Sequence, residues 1–202
     1  MNMQAKDHFL SRKEKILFMA EKLLLENNQE ITLEELAFEL DIAKGTIYRY
    51  FKSKNQLFLE LIILNEKRLL EISKKYNSSI GLYISKYMLF NMLNSNRTIM
   101  LHIIEEDLTN KEKKLNQLFN ELYQIRDERI LLIKEITQDY LNTQNSSISI
   151  RDYLSYVWSL TYGASLLLNS THYQKSIGSR ERLIKLYINQ AFMITGKNNI
   201  PK

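Results

Sequence analysis

A short stretch in the N-terminal quarter of the chain concentrates side chains that can donate hydrogen bonds. These donors are Lys44, Thr46, Tyr48 and Arg49. We predict that they lie on the outer face of a helix whose inner face is buried through Ile47. A lysine or arginine on such a face can reach phosphate oxygens or the acceptor edge of guanine. Lys44 and Arg49 are therefore candidates for base contacts in double-stranded DNA.

Two predicted helix starts lie on either side of these donors. Thr32 and Glu35 have the spacing of a capping box, in which each side chain bonds the backbone N–H of the other. Ser53 can cap a further helix that begins at Lys54. Because free N–H groups and the helix dipole favour a phosphate oxygen, Thr32 and Lys54 are predicted to contact the DNA backbone.

Three more residues of the stretch fit the same surface. The hydroxyls of Tyr48 and Tyr50 can donate to phosphates, a contact that positions a protein without distinguishing base sequences. Gly45 has no side chain, so the helix can approach DNA closely there. A short basic helix is more commonly an ordinary solvated surface. The order and spacing of the residues, and not their charge alone, therefore favour DNA binding.

The elements that must position these residues are predicted to be helices throughout. Hydrophobic residues make up 45% of the chain and charged residues 25%, with one proline and five glycines in 202 positions. Those proportions are typical of a folded helical protein. The spacing of apolar residues and the polar breaks predict an all-α fold of about nine helices, over residues 11–27, 33–40, 43–50, 54–75, 80–93, 97–107, 111–141, 150–169 and 179–195.

The first helices predict a compact N-terminal module. Asp41 and Ile42 form the turn between the second and third helices, and Leu36, Ala37 and Ile47 supply buried contacts. Residues 1–53 are therefore predicted to be a three-helix helix-turn-helix domain. Residues 54–202 are predicted to be a larger C-terminal helical domain for ligand binding and dimerisation.

The distribution of charge is more informative than the net charge. The chain carries a formal charge of +5, but residues 1–54 hold nine basic and nine acidic side chains. Residues 43–54 contain four basic residues and no acidic one, whereas residues 21–41 contain seven acidic residues and one lysine. A basic edge beside an acidic body can orient a protein on phosphates.

Several functional classes are disfavoured by what the sequence lacks. With no cysteine, the chain has no disulfide, thiolate nucleophile or cysteine metal ligand. No nucleophile motif, P-loop or dinucleotide glycine fingerprint occurs, so we expect neither an enzyme nor a cofactor. No apolar stretch approaches the roughly 18 residues of a membrane span. We therefore expect a cytoplasmic protein without a membrane partner.

The string from residue 31 to residue 58 closely resembles the N-terminal domain of the TetR/AcrR family, and the resemblance extends over roughly residues 10–60. It implies an all-helical, homodimeric, ligand-responsive regulator, usually a repressor. The positions that correspond to DNA contacts in this family are Thr32, Lys44, Gly45, Thr46, Tyr48, Tyr50 and Lys54, with Arg49 adjacent. Two residues depart from the family pattern. Asp41 replaces a common glycine in the turn, and Ala43 replaces a common serine or threonine cap.

The last two predicted helices are candidates for a dimer interface. A helix-turn-helix monomer buries little DNA surface, and a two-fold dimer can contact two half-sites. Pairing of two helices from each copy would make a four-helix bundle. The candidate interface residues are Val157, Leu160, Ala164, Leu167, Leu183, Tyr187 and Ala191. The alternative is that these apolar stripes close the core of the monomer.

Aromatic and methionine side chains in the C-terminal region are candidates for an inducer pocket. Such side chains form adaptable apolar cavities with a few hydroxyl groups, although they more commonly belong to a core. The candidate ligand-binding residues are Tyr87, Phe90, His102, Tyr123, Trp158 and Tyr162. His102 has Glu105 and Glu106 at helical spacing, which is more often a surface pair than a metal site, so no metal is expected.

The sequence therefore favours a ligand-responsive, sequence-specific DNA-binding regulator. Its expected partners are a double-stranded DNA operator, a small-molecule inducer and a second copy of the chain. One alternative is an architectural or division-linked DNA-binding protein without an inducer. Another is a helical adaptor whose helix-turn-helix no longer functions, in which case Lys44 or Tyr48 would be buried.

Overall fold

The computed structural model describes residues 3–27, 30–111, 113–176 and 178–193. This part of the chain contains ten α-helices, a 3-10 turn at Lys113–Leu115 and no strand. The all-α prediction is therefore confirmed. The helices are α1 (Met3–Glu26), α2 (Leu33–Glu39), α3 (Lys44–Tyr50), α4 (Lys54–Tyr76), α5 (Ile80–Leu93), α6 (Ser95–Lys111), α7 (Asn116–Thr143), α8 (Ile150–Asn169), α9 (Thr171–Ser176) and α10 (Arg180–Gln190).

Serine residues cap the starts of α5, α8 and α10. Ser79, Ser149 and Ser179 each precede a helix and accept a hydrogen bond from a backbone N–H of its first turn, at 3.1–3.3 Å. Helices α5 and α8 accordingly have the predicted bounds. A side-chain acceptor at this position satisfies a backbone donor that the helix itself leaves without a partner.

Other helix bounds differ from the sequence prediction. Helix α1 begins eight residues earlier than expected, because no proline or glycine interrupts the chain before the apolar stripe. Helix α9 is an addition, and its six residues are too few to produce a periodic pattern. Helix α10 ends at Gln190 rather than at residue 195, and residues 194 and 195 lie outside the described part.

The contacts divide the chain into two compact units. The first contains Met1–Asn65 and Met100–Leu122, and the second contains Glu66–Ile99 and Tyr123–Lys202. Helices α4, α6 and α7 each supply residues to both units. The domain boundary predicted between residues 53 and 54 stays a prediction.

The first unit has an apolar core made by its short helices. Helix α1 packs against α2, and α2 packs against α3. Ala20, Leu36, Ile47 and Phe51 are fully covered. Full burial of a leucine or isoleucine side chain contributes about 1.5–3 kcal/mol relative to its exposure, so these few contacts fix how α2 and α3 pack.

The second unit is organised around α5 and α8, with α10 against both. Ile84, Met88 and Tyr153 are fully covered in its core, and the Tyr153 hydroxyl donates to the Ala191 carbonyl oxygen at 3.2 Å. That bond satisfies the one polar group of an otherwise apolar side chain.

A buried charge cluster lies in the second unit. The carboxylate of Glu66, 4% exposed, accepts from Arg129 Nε at 2.7 Å and from Arg126 Nε at 3.2 Å. Arg129 also donates to the Tyr83 hydroxyl at 3.2 Å. Burial of the Arg129 guanidinium opposes its charge, but Glu66 and the nearby tyrosine hydroxyls hold its pKa above the ordinary value of 12.5. Arg129 is therefore charged, and its bonds with Glu66 and Tyr83 are part of the fold.

None of the helices in the described ranges is both long enough and apolar enough to cross a membrane.

Candidate nucleic-acid interface

The turn between α2 and α3 depends on a left-handed residue. Asp41 has φ of 49° and follows the C-cap residue of α2, Leu40. The N–H of Asp41 donates to the Phe38 carbonyl at 3.0 Å, and the N–H of Ile42 donates to the Ala37 carbonyl at 3.0 Å. These two bonds form a Schellman motif, in which glycine or asparagine usually takes the left-handed position. The structure confirms that aspartate can occupy this position in the turn.

The predicted capping box at the start of α2 is present. The Thr32 hydroxyl accepts from the Glu35 N–H at 3.1 Å, and the Glu35 carboxylate accepts from the Thr32 N–H at 2.7 Å. The bonds from the Thr32 N–H and then from its hydroxyl, together with the charge of Lys54, lower the pKa of Glu35 below its ordinary value of 4.5. This box fixes the start of α2 without any distant contact.

Helix α3 buries one side and exposes the other. Ile47 is 0% exposed, whereas Lys44, Gly45, Tyr48 and Arg49 lie on the surface. Thr46 and Tyr50 are half-buried. The adaptor alternative expects Lys44 or Tyr48 to be buried, but the side chain of Lys44 is 48% exposed and Tyr48 is 41% exposed. The donor-bearing face of α3 is therefore accessible.

The start of α3 has no side-chain cap. Ala43 is extended, with φ of −64° and ψ of 138°, and its methyl group cannot accept a hydrogen bond from the first turn. The predicted loss of a cap at this position is confirmed. Gly45 follows in that turn, and a Cβ placed on it would meet nothing within 4 Å. The surface at Gly45 is thus open.

Lys44 has a partner inside the protein that the sequence analysis missed. Its ammonium forms an ion pair with Glu34 on the first turn of α2 and lies 5.7 Å from the centroid of the Tyr48 ring. Glu34 and Lys44 are ten residues apart in sequence, so no helical spacing pointed to this pair. Both side chains are about half exposed, and such pairs are weak in water.

The start of α4 completes this side of the first unit. The Ser53 hydroxyl accepts from the Gln56 N–H at 3.1 Å, which confirms the predicted cap. Lys54 lies half-buried in the first turn, with its ammonium 5.2 Å from the centroid of the Phe58 ring. Lys54 also acts electrostatically on Glu35. The starts of α2, α3 and α4 therefore lie near one another, joined through Glu34 and Glu35.

A basic groove lies beside the turn. It has a volume of about 400 Å³ and is lined by Ser11, Arg12, Lys15, Ile16, Leu40 and Ile42. Arg12 and Lys15 face the same groove as Leu40 and Ile42, which flank Asp41. These two cations were not predicted from the sequence, because they belong to α1 and no local motif connects them to the turn.

The candidate ligand-binding residues have different environments. In the second unit Tyr87 is buried against Tyr83, and the Trp158 and Tyr162 rings lie 4.8 Å apart. Burial raises the pKa of the Tyr87 hydroxyl, and Tyr162 acts in the same direction. Trp158 is 47% exposed.

The other three candidates are more dispersed. Phe90 is half-buried and Tyr123 is exposed, while His102 is half-buried and belongs to the first unit. Within the described ranges, no three histidine, aspartate or glutamate side chains are placed to hold a metal ion.

The candidate dimer residues also divide by exposure. Four of them are buried within the second unit itself, which matches the alternative that these stripes close the monomer core: Val157, Ala164, Leu183 and Ala191. Leu160, Leu167 and Tyr187 are partly exposed. The exposed apolar residues nearby in sequence are Trp158, Leu166, Leu186 and Met193, which the dimer prediction did not include. A buried side chain cannot contact a partner unless the core opens.

The short α2 and α3, the Schellman turn between them and the exposed donor face of α3 define a helix-turn-helix protein. Residues 16–61 match the family described as bacterial regulatory proteins, tetR family. The chain is also 32% identical over 85 residues to the HTH-type transcriptional regulator QacR of Staphylococcus aureus. That similarity covers 42% of this chain and 45% of the relative, so the chain spans less than half of that protein's length. Residues 16–61 are therefore similar to the N-terminal helix-turn-helix of the tetR family of bacterial regulatory proteins.

Proposed function

We propose that this protein is a homodimeric, sequence-specific transcriptional repressor that a small molecule releases from its operator. The observation that supports this most directly is the exposed face of α3 between two capped helix starts. Proteins of the tetR family are regulators that generally bind DNA. The proposal extends that general property to this chain and to particular side chains.

Each part of the interface has a different role in this proposal. Lys44 and Arg49 contact base edges, and guanine offers them two acceptors in the major groove. Thr32, Lys54 and the hydroxyls of Tyr48 and Tyr50 contact phosphates and fix the position of α3. Thr46 lies between the two sets. Gly45 leaves room for the DNA backbone, because no side chain projects from the helix there.

The dimer would form through the exposed apolar side of α8 and α10. Trp158, Leu166, Leu186 and Met193 are 47–66% exposed, and the partly exposed Leu160, Leu167 and Tyr187 belong to the same helices or their immediate ends. Burial of aromatic and leucine side chains is the usual basis of a stable interface. A size-exclusion measurement that gave a monomer at micromolar concentration would contradict this part of the proposal.

The inducer would act through α4, since this helix supplies residues to both units. A coupling free energy of about 1–3 kcal/mol would weaken operator binding roughly 5- to 150-fold. The aromatic residues Tyr87, Trp158 and Tyr162 in the second unit are candidates for contact with the inducer. Phe90, Tyr123 and His102 remain candidates from the sequence.

The experiment is a salt titration of binding to the DNA that flanks the protein's own gene. Lys44→Ala should weaken binding. It should also reduce the magnitude of the slope of log K against log salt concentration by about one. Tyr48→Phe should weaken binding to all sequences similarly, because it removes a phosphate contact. Lys134→Ala removes an exposed lysine from α7 and serves as the matched control. Failure to detect binding at low salt would contradict the proposal.

Glu34 offers a second test. Its carboxylate neutralises Lys44 in the free protein and lies near the proposed phosphate contacts at Thr32. Glu34→Gln should therefore strengthen DNA binding, whereas Lys44→Ala weakens it. If both variants lower thermal stability and leave DNA binding unchanged, the Lys44–Glu34 pair is structural and α3 does not contact DNA through Lys44.

A further inference from the structure

A groove in the second unit combines an apolar wall with two lysines. It lies along the last turns of α4 and the facing side of α5 and has a volume of about 440 Å³. Its apolar wall consists of Ile72, Tyr76, Leu89, Phe90 and Leu93. Small-molecule sites commonly have volumes of about 300–1,000 Å³ and this mixture of apolar surface with few polar groups.

Two ammonium groups of this groove lie near the same aromatic ring. The Nζ atom of Lys75 lies 5.6 Å from the centroid of the Tyr76 ring, and the Nζ atom of Lys86 lies 6.0 Å from the same centroid. Both lysines are exposed, and both line the groove. Because both lysines border the same groove, their charges together attract an anion that enters it.

The carboxylate in the groove lining is already engaged. Glu71 forms an ion pair with Lys74 at 3.3 Å, and Lys74 also contacts Glu128 at 3.4 Å. The hydrogen bond with Glu71 raises the pKa of Lys74. The lining holds two lysines and this one carboxylate, so the groove presents a net positive charge to a ligand.

The groove is polar at one end and apolar at the other. Along α5 the lining residues follow the order Lys86, Leu89, Phe90 and Leu93, at the spacing of one helix face. Seven residues of helix separate the first from the last, which is about 10 Å. Leu93 is 59% exposed, so apolar surface at that end remains in contact with water. The Arg97 guanidinium lies 4.6 Å from the centroid of the Phe90 ring, but Arg97 is not among the residues that line the groove.

We propose that this groove binds a single-chain amphipathic carboxylate, with the anionic head at the end lined by Lys75 and Lys86 and the hydrocarbon tail along Leu89, Phe90 and Leu93. The ammonium groups supply charge-assisted hydrogen bonds, and the tail covers the exposed apolar wall. Only the effect of this ligand on DNA binding depends on the proposed regulatory function. The binding itself requires no DNA.

The test is isothermal titration calorimetry on the full chain without DNA. The probes are decanoate, decanol and decyltrimethylammonium, each below its micelle concentration. Decanoate should bind, and it should bind more tightly than the neutral or the cationic probe. The double variant K75Q/K86Q should weaken decanoate binding by on the order of tenfold or more. The control K134Q/K175Q, which removes two exposed lysines elsewhere in the second unit, should leave it unchanged.

A second variant tests the position of the tail. Leu93→Ser should weaken binding of decanoate without unfolding the protein, because Leu93 is mostly exposed. Equal binding of the three probes, or equal losses in K75Q/K86Q and its control, would overturn the proposal. The proposal would also be overturned if the protein sedimented with phosphatidylglycerol vesicles but did not bind decanoate, because the site would then recognise a lipid surface. Loss of operator binding alone would contradict the proposed function and leave this result intact.

Discussion

The helix-turn-helix region and the core of the second unit each contain an ion pair, and the two pairs differ in their exposure. In the first, Lys44 and Glu34 pair on the surface, and each side chain is about half exposed. In the second, Glu66 pairs with Arg129 in the interior, and their side chains are 5% and 15% exposed. An exposed pair can exchange its partner for a phosphate at little free-energy cost, whereas a buried pair cannot. The first arrangement suits binding, and the second suits a fixed fold.

Removal of the Glu66 carboxylate should have the largest effect. Glu66→Ala leaves the buried guanidinium of Arg129 without its closest carboxylate, and we expect a loss of about 3–5 kcal/mol in the free energy of unfolding. Urea denaturation monitored by circular dichroism measures this change.

Glu128→Ala is the matched control, because it removes a carboxylate that pairs with Lys74 on the surface. Its effect should be below about 1 kcal/mol. Similar losses in the two variants would remove the distinction between buried and exposed charges on which the comparison depends.

Loss of the α2 cap should have an intermediate effect. Thr32→Ala removes the acceptor for the Glu35 N–H and should lower the free energy of unfolding by about 1 kcal/mol. Ser79→Ala removes the corresponding acceptor at α5 and should cost a similar amount. The two variants should differ in DNA binding, which Thr32→Ala alone weakens. Equal DNA affinities in a gel-shift titration would show that Thr32 acts only as a cap.

Addition of a cap to α3 should stabilise the protein slightly. Ala43 already has the extended backbone of a cap residue, so Ala43→Ser should raise the free energy of unfolding by about 0.5–1 kcal/mol. Amide hydrogen exchange in α3 would detect slower opening. Ala43→Val, which adds a side chain without an acceptor, should give no gain. A gain with valine would mean that packing, and not a hydrogen bond, limits this helix start.

The smallest expected effect concerns pH. The pKa of Glu35 is lowered by its bonds with Thr32, so the ionised form contributes stability above its ordinary value of 4.5. That contribution is lost as the pH falls through the lower pKa of the folded state. Glu35→Gln keeps an acceptor for the Thr32 N–H but has no charge. The melting temperature of the wild type should therefore fall more steeply below about pH 4.5 than that of the variant. Parallel pH profiles would contradict this.

The sequence predicted best the features that depend on neighbouring residues. The capping box at Thr32, the cap at Ser53, the turn at Asp41 and the bounds of α5 and α8 all follow from side chains within a few positions of one another. Local hydrogen bonds determine these features, and their spacing is visible in a single chain. The exposed face of α3 was predictable for the same reason.

Features that depend on distant residues were not predictable. Glu66 meets Arg129 across 63 positions, and Lys44 meets Glu34 across a turn whose geometry the sequence does not specify quantitatively. The stripes of α8 and α10 were ambiguous because a core and a dimer interface use the same apolar residues at the same spacing. Four candidate dimer residues are covered by the chain itself.

Gly45 affects both the stability of α3 and its proposed approach to DNA. A side chain there would meet nothing in the free protein, and a glycine within a helix is less stable than alanine by about 0.5–1 kcal/mol. Folding therefore gives no steric reason for a glycine at this position. If α3 enters a DNA groove, the glycine allows the helix to lie closer to the nucleic acid. The cost is a less stable α3 in the unbound protein. At this position helix stability would then favour alanine, whereas close approach to DNA would favour glycine.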